Sequence, residues 1–508
     1  MSDLNVTPSL DQFRALAKQG NLIPLIVDLV ADAETPVSAF AKIRQAGPCF
    51  LFESAEKNEE SGRFSFIGTD PLLIFKSAEA AISLFENGKL NTFETDGDPL
   101  GELQNVMARF QFVSSPDTPH FTAGAVGFIG YDVVRFFEPS VPIHPRDDLQ
   151  FPEMIFMIPR TTVIFDHRFR KMRLVYNAYV ENSSRAKEVY DEAKQSLQRA
   201  LERFDQPATM SPIRAEPIAE VPVARSNTTR KEFESMVTKA RELIAAGDIF
   251  QVVLSQRFEA TFGGDALDLY RCLRFGNPSP YMFCLEFGDE VTALGSSPEL
   301  HVRVRDGLAE IRPIAGTRPR GQDATEDERL ARELLADPKE RAEHVMLIDL
   351  GRNDLGRFSR FGSVGVTEQM VIERYSHVMH IVSHVVGRLR DDKTSFDAVR
   401  ATFPAGTVSG APKIRAMQII AELEKSRRGF YAGVVGSFGF DGSLNSCIAL
   451  RSVVLKQGKA YFQAGAGIVA DSEPAREYDE TVNKAQAMLE AITRANEIDR
   501  SRNTNTTE

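Results

Sequence analysis

The sequence predicts an α+β protein of two unequal domains. Three observations carry that expectation. The chain has 508 residues, too many for one ordinary hydrophobic core. Short β-branched and aromatic runs broken by turn residues fill the region from about 20 to 180. A stretch with four prolines and little periodicity, 206–226, then separates this region from one dense in helical and strand patterns.

In chain order, residues 1–19 read as an N-terminal tail and 20–205 as the first domain. Within it, Cys49 to Glu53, Met154 to Phe165 and Met172 to Tyr179 read as strands of an antiparallel sheet. Ser184 to Phe204 reads as a helix, because Val189, Ala193, Leu197 and Leu201 recur at helical spacing. The linker spans 206–226, the second domain 227–498, and the polar residues 499–508 a tail. The segments AGAVGFIGYD (Ala123 to Asp132) and AGVVGSFGFD (Ala432 to Asp441) share six of ten positions. They are either the trace of a duplication or two independent glycine-rich strands. Neither is a dinucleotide-binding loop, because no helix-forming segment is expected after the glycines.

Composition narrows the function classes. A content of 43% apolar and 26% charged residues is that of a soluble globular protein. A net charge of -11 disfavours nucleic acid, whose phosphates require clustered cations. The four cysteines show no metal-ligand spacing, so free thiols in a reducing cytosol are expected. Neither a secretory leader nor a membrane-length apolar run is evident, which points to the cytoplasm.

Two acidic helix starts are the strongest local signal. Asp337 and Pro338 form an N-cap and first helical residue, with Glu340 and Glu343 on one side of the helix. Ser472 and Pro474 open a second helix on which Glu477, Glu480 and Lys484 lie at i, i+3 and i+7. Two such faces could share a Mg²⁺ ion, although Glu-x-x-Glu is also common on solvated helices. His377, His380 and His384 have zinc-like helical spacing, but the surrounding Val and Ile favour a strand. On a strand His377 points away from the other two, leaving His380 as a candidate proton carrier. In DIFQVVLSQRF, Gln251 shares a strand face with Val253 and Ser255, where it can orient a ligand but cannot act as a base.

Glycine- and proline-punctuated segments complete the set: GSSPEL (295–300), RPIAGTRPRG (312–321) and GTVSGAPKIRA (406–416). Together with NPSPYMF, EHVMLIDLGRNDLGR, SHVMHIVSHVVG, AGAGIVADS and YDETVNKAQAML, they occur in the order found in chorismate-utilising enzymes. The chain most resembles the anthranilate synthase component I branch of that family. The resemblance covers essentially all of 227–495, and LFES and GRFSFIG are similar to that branch's regulatory domain. It implies two domains, each an antiparallel β-sandwich with outer helices, and an active site in the cleft between them.

The resemblance also implies roles. Glu343 and Glu480 match magnesium carboxylates, with Glu340 and Glu477 in the metal's outer shell. Arg451 and Tyr431 match groups that hold the enolpyruvyl carboxylate; Lys484, Gly465, Gly467 and Thr407 match others lining the substrate. Glu299 matches a general acid, Thr317 lies beside the ring, and His380 belongs to the pyruvate-eliminating step. Gln251 stands where water-adding relatives carry Lys, and Ala315 where aminodeoxychorismate-forming relatives carry Lys. Both differences imply that ammonia adds directly, giving anthranilate and pyruvate. Glu53, Ser54, Pro280, Tyr281 and Met282 match a pocket for tryptophan as feedback inhibitor, with Phe52 where Leu is usual.

No glutaminase segment is recognisable, so a separate glutamine amidotransferase subunit is expected, in a hetero-tetramer. The alternatives are aminodeoxychorismate synthesis, which Ala315 disfavours, and a non-catalytic amino-acid sensor, which the intact set of candidate residues disfavours.

Overall fold

A computed structural model describes residues 4–505 except 45–46, 56–61, 96, 114–122, 217, 219–220, 289 and 376–377, so His377 lies outside the described residues. The mixed helix and antiparallel-sheet architecture is as expected. Leu22–Val30 pairs with Lys171–Tyr179, which pairs with Met154–Asp166, which pairs with the long strand Phe64–Ala78. Phe64–Ala78 continues into the hairpin Ala81–Glu86 and Lys89–Glu94 on one side and meets Cys49–Glu53 on the other.

Among the described residues, two strand pairings cross the proline-rich segment. Cys49–Glu53 pairs with Tyr281–Glu286, placing Glu53 opposite Met282. Gly124–Ile129 pairs with Val434–Gly439. From the first crossing the ladder continues through Thr292–Ser297, Ser452–Lys456 and Lys459–Ile468 to Gln251–Thr261. From the second it runs through Leu444–Ile448, Leu300–Arg305 and Leu308–Ile311 to Val378–Arg388. Gly365–Arg374 and Ile314–Pro319 also pair with Val378–Arg388.

The second crossing joins the two similar segments to each other. They run antiparallel with Gly127 directly opposite Gly436, equivalent positions of the repeat, so a local two-fold axis passes between them. That register supports duplication over coincidence. Glycine is required at both positions for close strand approach. A Cβ at Gly127 would lie 1.9 Å from the Ile155 carbonyl oxygen, and one at Gly436 2.3 Å from that of Asn445. These glycines lie within strands, so the dinucleotide-loop reading fails on geometry. The expectation that no helix follows them was mistaken, since Val134–Phe137 forms one helical turn.

The apolar residues do not divide at the linker. One large cluster holds Leu73, Phe156 and Leu100 together with Phe233, Phe396 and Phe438. Another holds Phe13, Phe40 and Leu197 together with Tyr270, Phe462 and Leu489. Phe396 and Phe438 stack at 4.3 Å, and Phe438 lies 5.7 Å from Phe156 of the other half. The residues assigned to an N-terminal tail include the helix Leu10–Leu16, fixed by a Ser9–Gln12 capping box and by Phe13, which is fully buried. Burying that ring contributes about 2–3 kcal/mol, and Val6, Leu10 and Leu16 join the same cluster. At the other end the helix Pro474–Asn505 runs past the boundary at 498 and packs on Lys459–Ile468, Ala266–Gly276 and Arg230–Ala245. Among the described residues no helix is long and apolar enough to cross a membrane.

Replacing Gly127 by Ala is expected to destabilise the fold by about 3 kcal/mol, because the methyl meets backbone that cannot yield. Gly276→Ala, where the added carbon meets nothing within 4 Å, serves as the control. Urea denaturation monitored by circular dichroism compares them, and equal midpoints would refute the packing argument.

Candidate active site

The pairing of Gln251–Thr261 with Lys459–Ile468 sets Val253 opposite Gly467 and Ser255 opposite Gly465. Both glycines clear space for neighbouring polar groups. A Cβ at Gly467 would stand 2.8 Å from Gln251 Nε2, and one at Gly465 2.8 Å from the Tyr431 hydroxyl. Lys484 Nζ donates to the Gly465 carbonyl oxygen at 3.0 Å and lies 2.6 Å from Glu480. Residues far apart in sequence thus share one patch.

The helix Pro338–Gly356 packs over Ile314–Pro319 and Val378–Arg388. Asp337 caps it, accepting from the Lys339 and Glu340 amides. The Gln251 side-chain amide donates to Glu343 at 3.3 Å, which ties this helix to the patch. Arg318 reaches Glu340 at 3.3 Å and Asp337 at 2.9 Å. Gly316, at φ +67°, turns the chain so closely that a Cβ would be 3.0 Å from the Glu340 carboxylate. Lys339 bonds Asp471 at 2.9 Å, drawing the starts of the two acidic helices together. Burial raises the Glu477 carboxyl, and the neighbouring Glu480 adds to that rise.

Among the described residues no group of three or more His, Cys, Asp or Glu side chains is arranged to hold a metal alone. The donors present still fit a hard divalent cation that takes few protein carboxylates plus substrate and water. Glu343 Oε1 accepts from the neutral Gln251 amide and Glu480 Oε1 pairs with Lys484, so each carboxylate keeps a second oxygen for a cation.

Thr317 pairs with His380 across the strands, and the Thr317 hydroxyl and the Gly316 carbonyl oxygen each lie 3.0 Å from His380 Nδ1. A carbonyl can only accept, so Nδ1 carries the proton and Nε2 is the free basic nitrogen. Burial lowers the His380 pKa, and the nearby positive charge of Arg451 lowers it further. Arg451 has backbone φ 45°, and its guanidinium donates to Asn277 Oδ1 at 3.1 Å. No carboxylate faces it among the described residues, and burial alone lowers its pKa. A half-buried cation with only a neutral partner among the described residues is poised for an anionic ligand. His384 shares the strand but is engaged elsewhere, 2.6 Å from Glu310.

Glu299 follows the strand Thr292–Ser297 and lines a small cavity of about 30 Å³ together with Thr407, His301 and Asp354. Burial pushes its carboxyl up to about 7. It can therefore hold a proton near neutral pH, as a general acid must. Ala315 lies on the strand carrying Thr317, opposite Ile381.

The residues matched to an inhibitor pocket converge elsewhere. Glu53, Ser54, Pro280, Tyr281 and Met282 all line one cavity of about 210 Å³, whose far wall includes Arg303, Asn445 and Ser446. Glu53 accepts from the Tyr270 hydroxyl at 2.6 Å and pairs with Arg274 at 3.2 Å. Sequence reasoning missed the far wall, which carries no motif, and Asn277, which lay unexamined inside NPSPYMF.

A family model described as chorismate binding enzyme matches residues 47–490. Anthranilate synthase component 1 of Acetivibrio thermocellus is 46% identical over 494 residues, covering 97% of this chain and 99% of the relative. The crystal structure of anthranilate synthase component I from Streptococcus pneumoniae superposes with a TM-score of 0.73 at 38% identity, covering 91% of this chain and 99% of that one. The menaquinone-specific isochorismate synthase MenF of Escherichia coli shares the fold, with a TM-score of 0.68 at 21% identity, covering 96% and 99%.

The geometry fixes the state of His380. It is expected to titrate below 6.5 and, when neutral, to carry its proton on Nδ1. Nitrogen-15 shifts of selectively labelled imidazole between pH 5 and 8 measure both, and an Nε2–H tautomer would refute the assignment.

Proposed function

Because the chain belongs to the chorismate-binding enzymes, we propose that it acts as an anthranilate synthase large subunit. In this role it converts chorismate and ammonia to anthranilate and pyruvate. The observation that carries the proposal is a half-buried Arg451 that meets neutral Asn277 and, among the described residues, no carboxylate, together with a Glu299 whose carboxyl burial raises to about 7. Such a site suits an anionic substrate whose hydroxyl must leave with a proton.

In this reading Arg451 and Tyr431 hold the enolpyruvyl carboxylate, and Lys484 with Gly465, Gly467 and Thr407 shapes the surrounding wall. Glu343 and Glu480 would hold Mg²⁺, with Glu340 and Glu477 behind them. The ion would supply charge stabilisation at the ring carboxylate. Glu299 donates a proton to the departing 4-hydroxyl while ammonia bonds to C2, so water leaves. Thr317 orients the ring and the imidazole. His380, with Nε2 free, then serves the second step, in which pyruvate leaves and the ring becomes aromatic. Gln251 is neutral and bonded to Glu343, which supports ammonia over water as nucleophile, because water would need a base there. Ala315 likewise leaves no amine to attack C2.

The proposal includes the finer architecture, two antiparallel sandwiches with the site in the cleft between them. It also includes a partner glutamine amidotransferase subunit in a hetero-tetramer, a cytoplasmic setting, and feedback inhibition by tryptophan in the 210 Å³ cavity. That cavity offers Glu53 as a carboxylate for an amino group and aromatic walls for a ring.

Purified protein with chorismate, Mg²⁺ and ammonium at alkaline pH is expected to generate anthranilate fluorescence, suppressed by tryptophan and abolished by EDTA. The chain contains no Trp, so background is low. Chorismate consumed without pyruvate would move the assignment to aminodeoxychorismate; a folded protein that consumes none would favour the sensor.

The pH dependence follows from Glu299. Its acid form is the active one, so at constant free ammonia kcat is expected to fall as pH rises through about 7. Glu299→Gln should lower kcat by about 10²–10⁴-fold and remove that limb of the profile. An unchanged limb in the variant would assign it to another group.

A further inference from the structure

A buried ion pair that none of the roles above uses lies beneath the candidate site. Glu424 and Arg428 follow the helix Lys413–Leu423, and their side chains are 4% and 1% exposed. The contact is two-pronged: Arg428 Nη2 donates to Glu424 Oε1 at 2.6 Å and Nε to Oε2 at 2.9 Å. Its remaining bonds go to backbone, from Nη1 to the Val408 carbonyl at 2.8 Å and from Nη2 to that of Val253 at 2.7 Å. Glu424 Oε1 accepts from the Ser255 amide at 2.9 Å and its hydroxyl at 2.7 Å, and Ser255 Oγ accepts from Gln463 at 2.8 Å. The guanidinium also lies over the Tyr431 ring at 5.5 Å and the Tyr131 ring at 4.7 Å.

Each partner adjoins a residue assigned to the substrate. Val408 follows Thr407, Val253 is opposite Gly467, Ser255 is opposite Gly465, and Tyr431 is touched directly. Desolvating two charges is costly, so burial by itself gives no reason to keep them. Apolar residues could fill the volume, but they would leave two carbonyls and an amide unpaired at a cost of about 1–3 kcal/mol each. Lysine would keep the charge but, as a point donor, could not span a carboxylate and two divergent carbonyls.

The geometry points to Arg428, held by Glu424, as the positioning residue that sets the spacing between the Thr407 loop, Tyr431 and the strand bearing Gln251. Neither residue contacts the reacting atoms, so the pair acts on substrate affinity through those three segments. The inference rests on the chorismate reading proposed above.

The test uses full-length protein with chorismate, Mg²⁺ and ammonium. Arg428→Lys is expected to raise KM for chorismate at least ten-fold, with KM for ammonium unchanged and kcat altered less than KM. A structural role alone would lower the active fraction, and thus apparent kcat, without moving KM; that outcome overturns the inference. If Arg428→Lys does not fold, Ser255→Ala removes only the hydroxyl link and should raise KM about three-fold; a wild-type KM there overturns it equally. Wild-type protein that neither binds chorismate in calorimetry nor consumes it overturns the functional reading, and this inference with it. Active wild type beside a kinetically normal Arg428→Lys overturns this inference alone.

Discussion

Two short stretches of antiparallel ladder, Cys49–Glu53 against Tyr281–Glu286 and Gly124–Ile129 against Val434–Gly439, hold the two halves of the chain in one hydrogen-bonded network. Strand pairing fixes register to a single residue, since a slip of one would turn each buried side chain to the opposite face. The second stretch depends on Gly127 and Gly436, where the backbones of Met154–Asp166 and Leu444–Ile448, respectively, leave no room for a Cβ. From these junctions the ladders reach the segments bearing the candidate site. The first passes through Tyr281–Glu286 and Thr292–Ser297 toward Glu299; the second passes through Val434–Gly439 and Leu444–Ile448 toward Val378–Arg388 and His380.

That continuity links the two cavities through hydrogen-bonded strands. Thr292–Ser297 lies beside Tyr281–Glu286, so the strand bordering the larger cavity through Tyr281 and Met282 is hydrogen-bonded to the one that leads to Glu299. The turn between Ala266–Gly276 and Tyr281 also supplies Asn277 to Arg451. The electrostatics of the candidate site depend on what this frame excludes. Burial raises Glu299 and lowers His380, shifts that make an acid and a neutral imidazole available near neutral pH, while the Arg451 guanidinium meets the neutral Asn277 side chain.

Local chemistry was legible where it is set within a few residues. Asp337-Pro338 reads as a helix start because a carboxylate can accept the orphan amides directly after it, and it does so. SHVMHIVSHVVG reads as a strand because β-branched residues crowd a helix, and Val378–Arg388 is one. The same reasoning failed at the termini. The polar segment before residue 20 gives no strong pattern, yet Phe13 and Val6, with Leu10 and Leu16, enter a core built from distant residues. The candidate site was legible only through ordered motifs, because the residues Gln251, Glu343, Gly467 and Tyr431 come from separate elements.

The sequence by itself determined the element types, the capped acidic helices, the glycine echo and, through its ordered motifs, the family. Those are properties of local dihedral preference, hydrophobic period and motif order, each contained within short windows. Only the tertiary structure decided that the echoing strands pair with each other, that Nδ1 of His380 meets the Gly316 carbonyl, that Arg451 meets no carboxylate among the described residues, and that Glu424 and Arg428 join the segments bearing Val253, Ser255, Val408 and Tyr431. Each of these depends on groups distant in sequence meeting within hydrogen-bonding distance, where burial removes water and makes the presence or absence of one partner decisive.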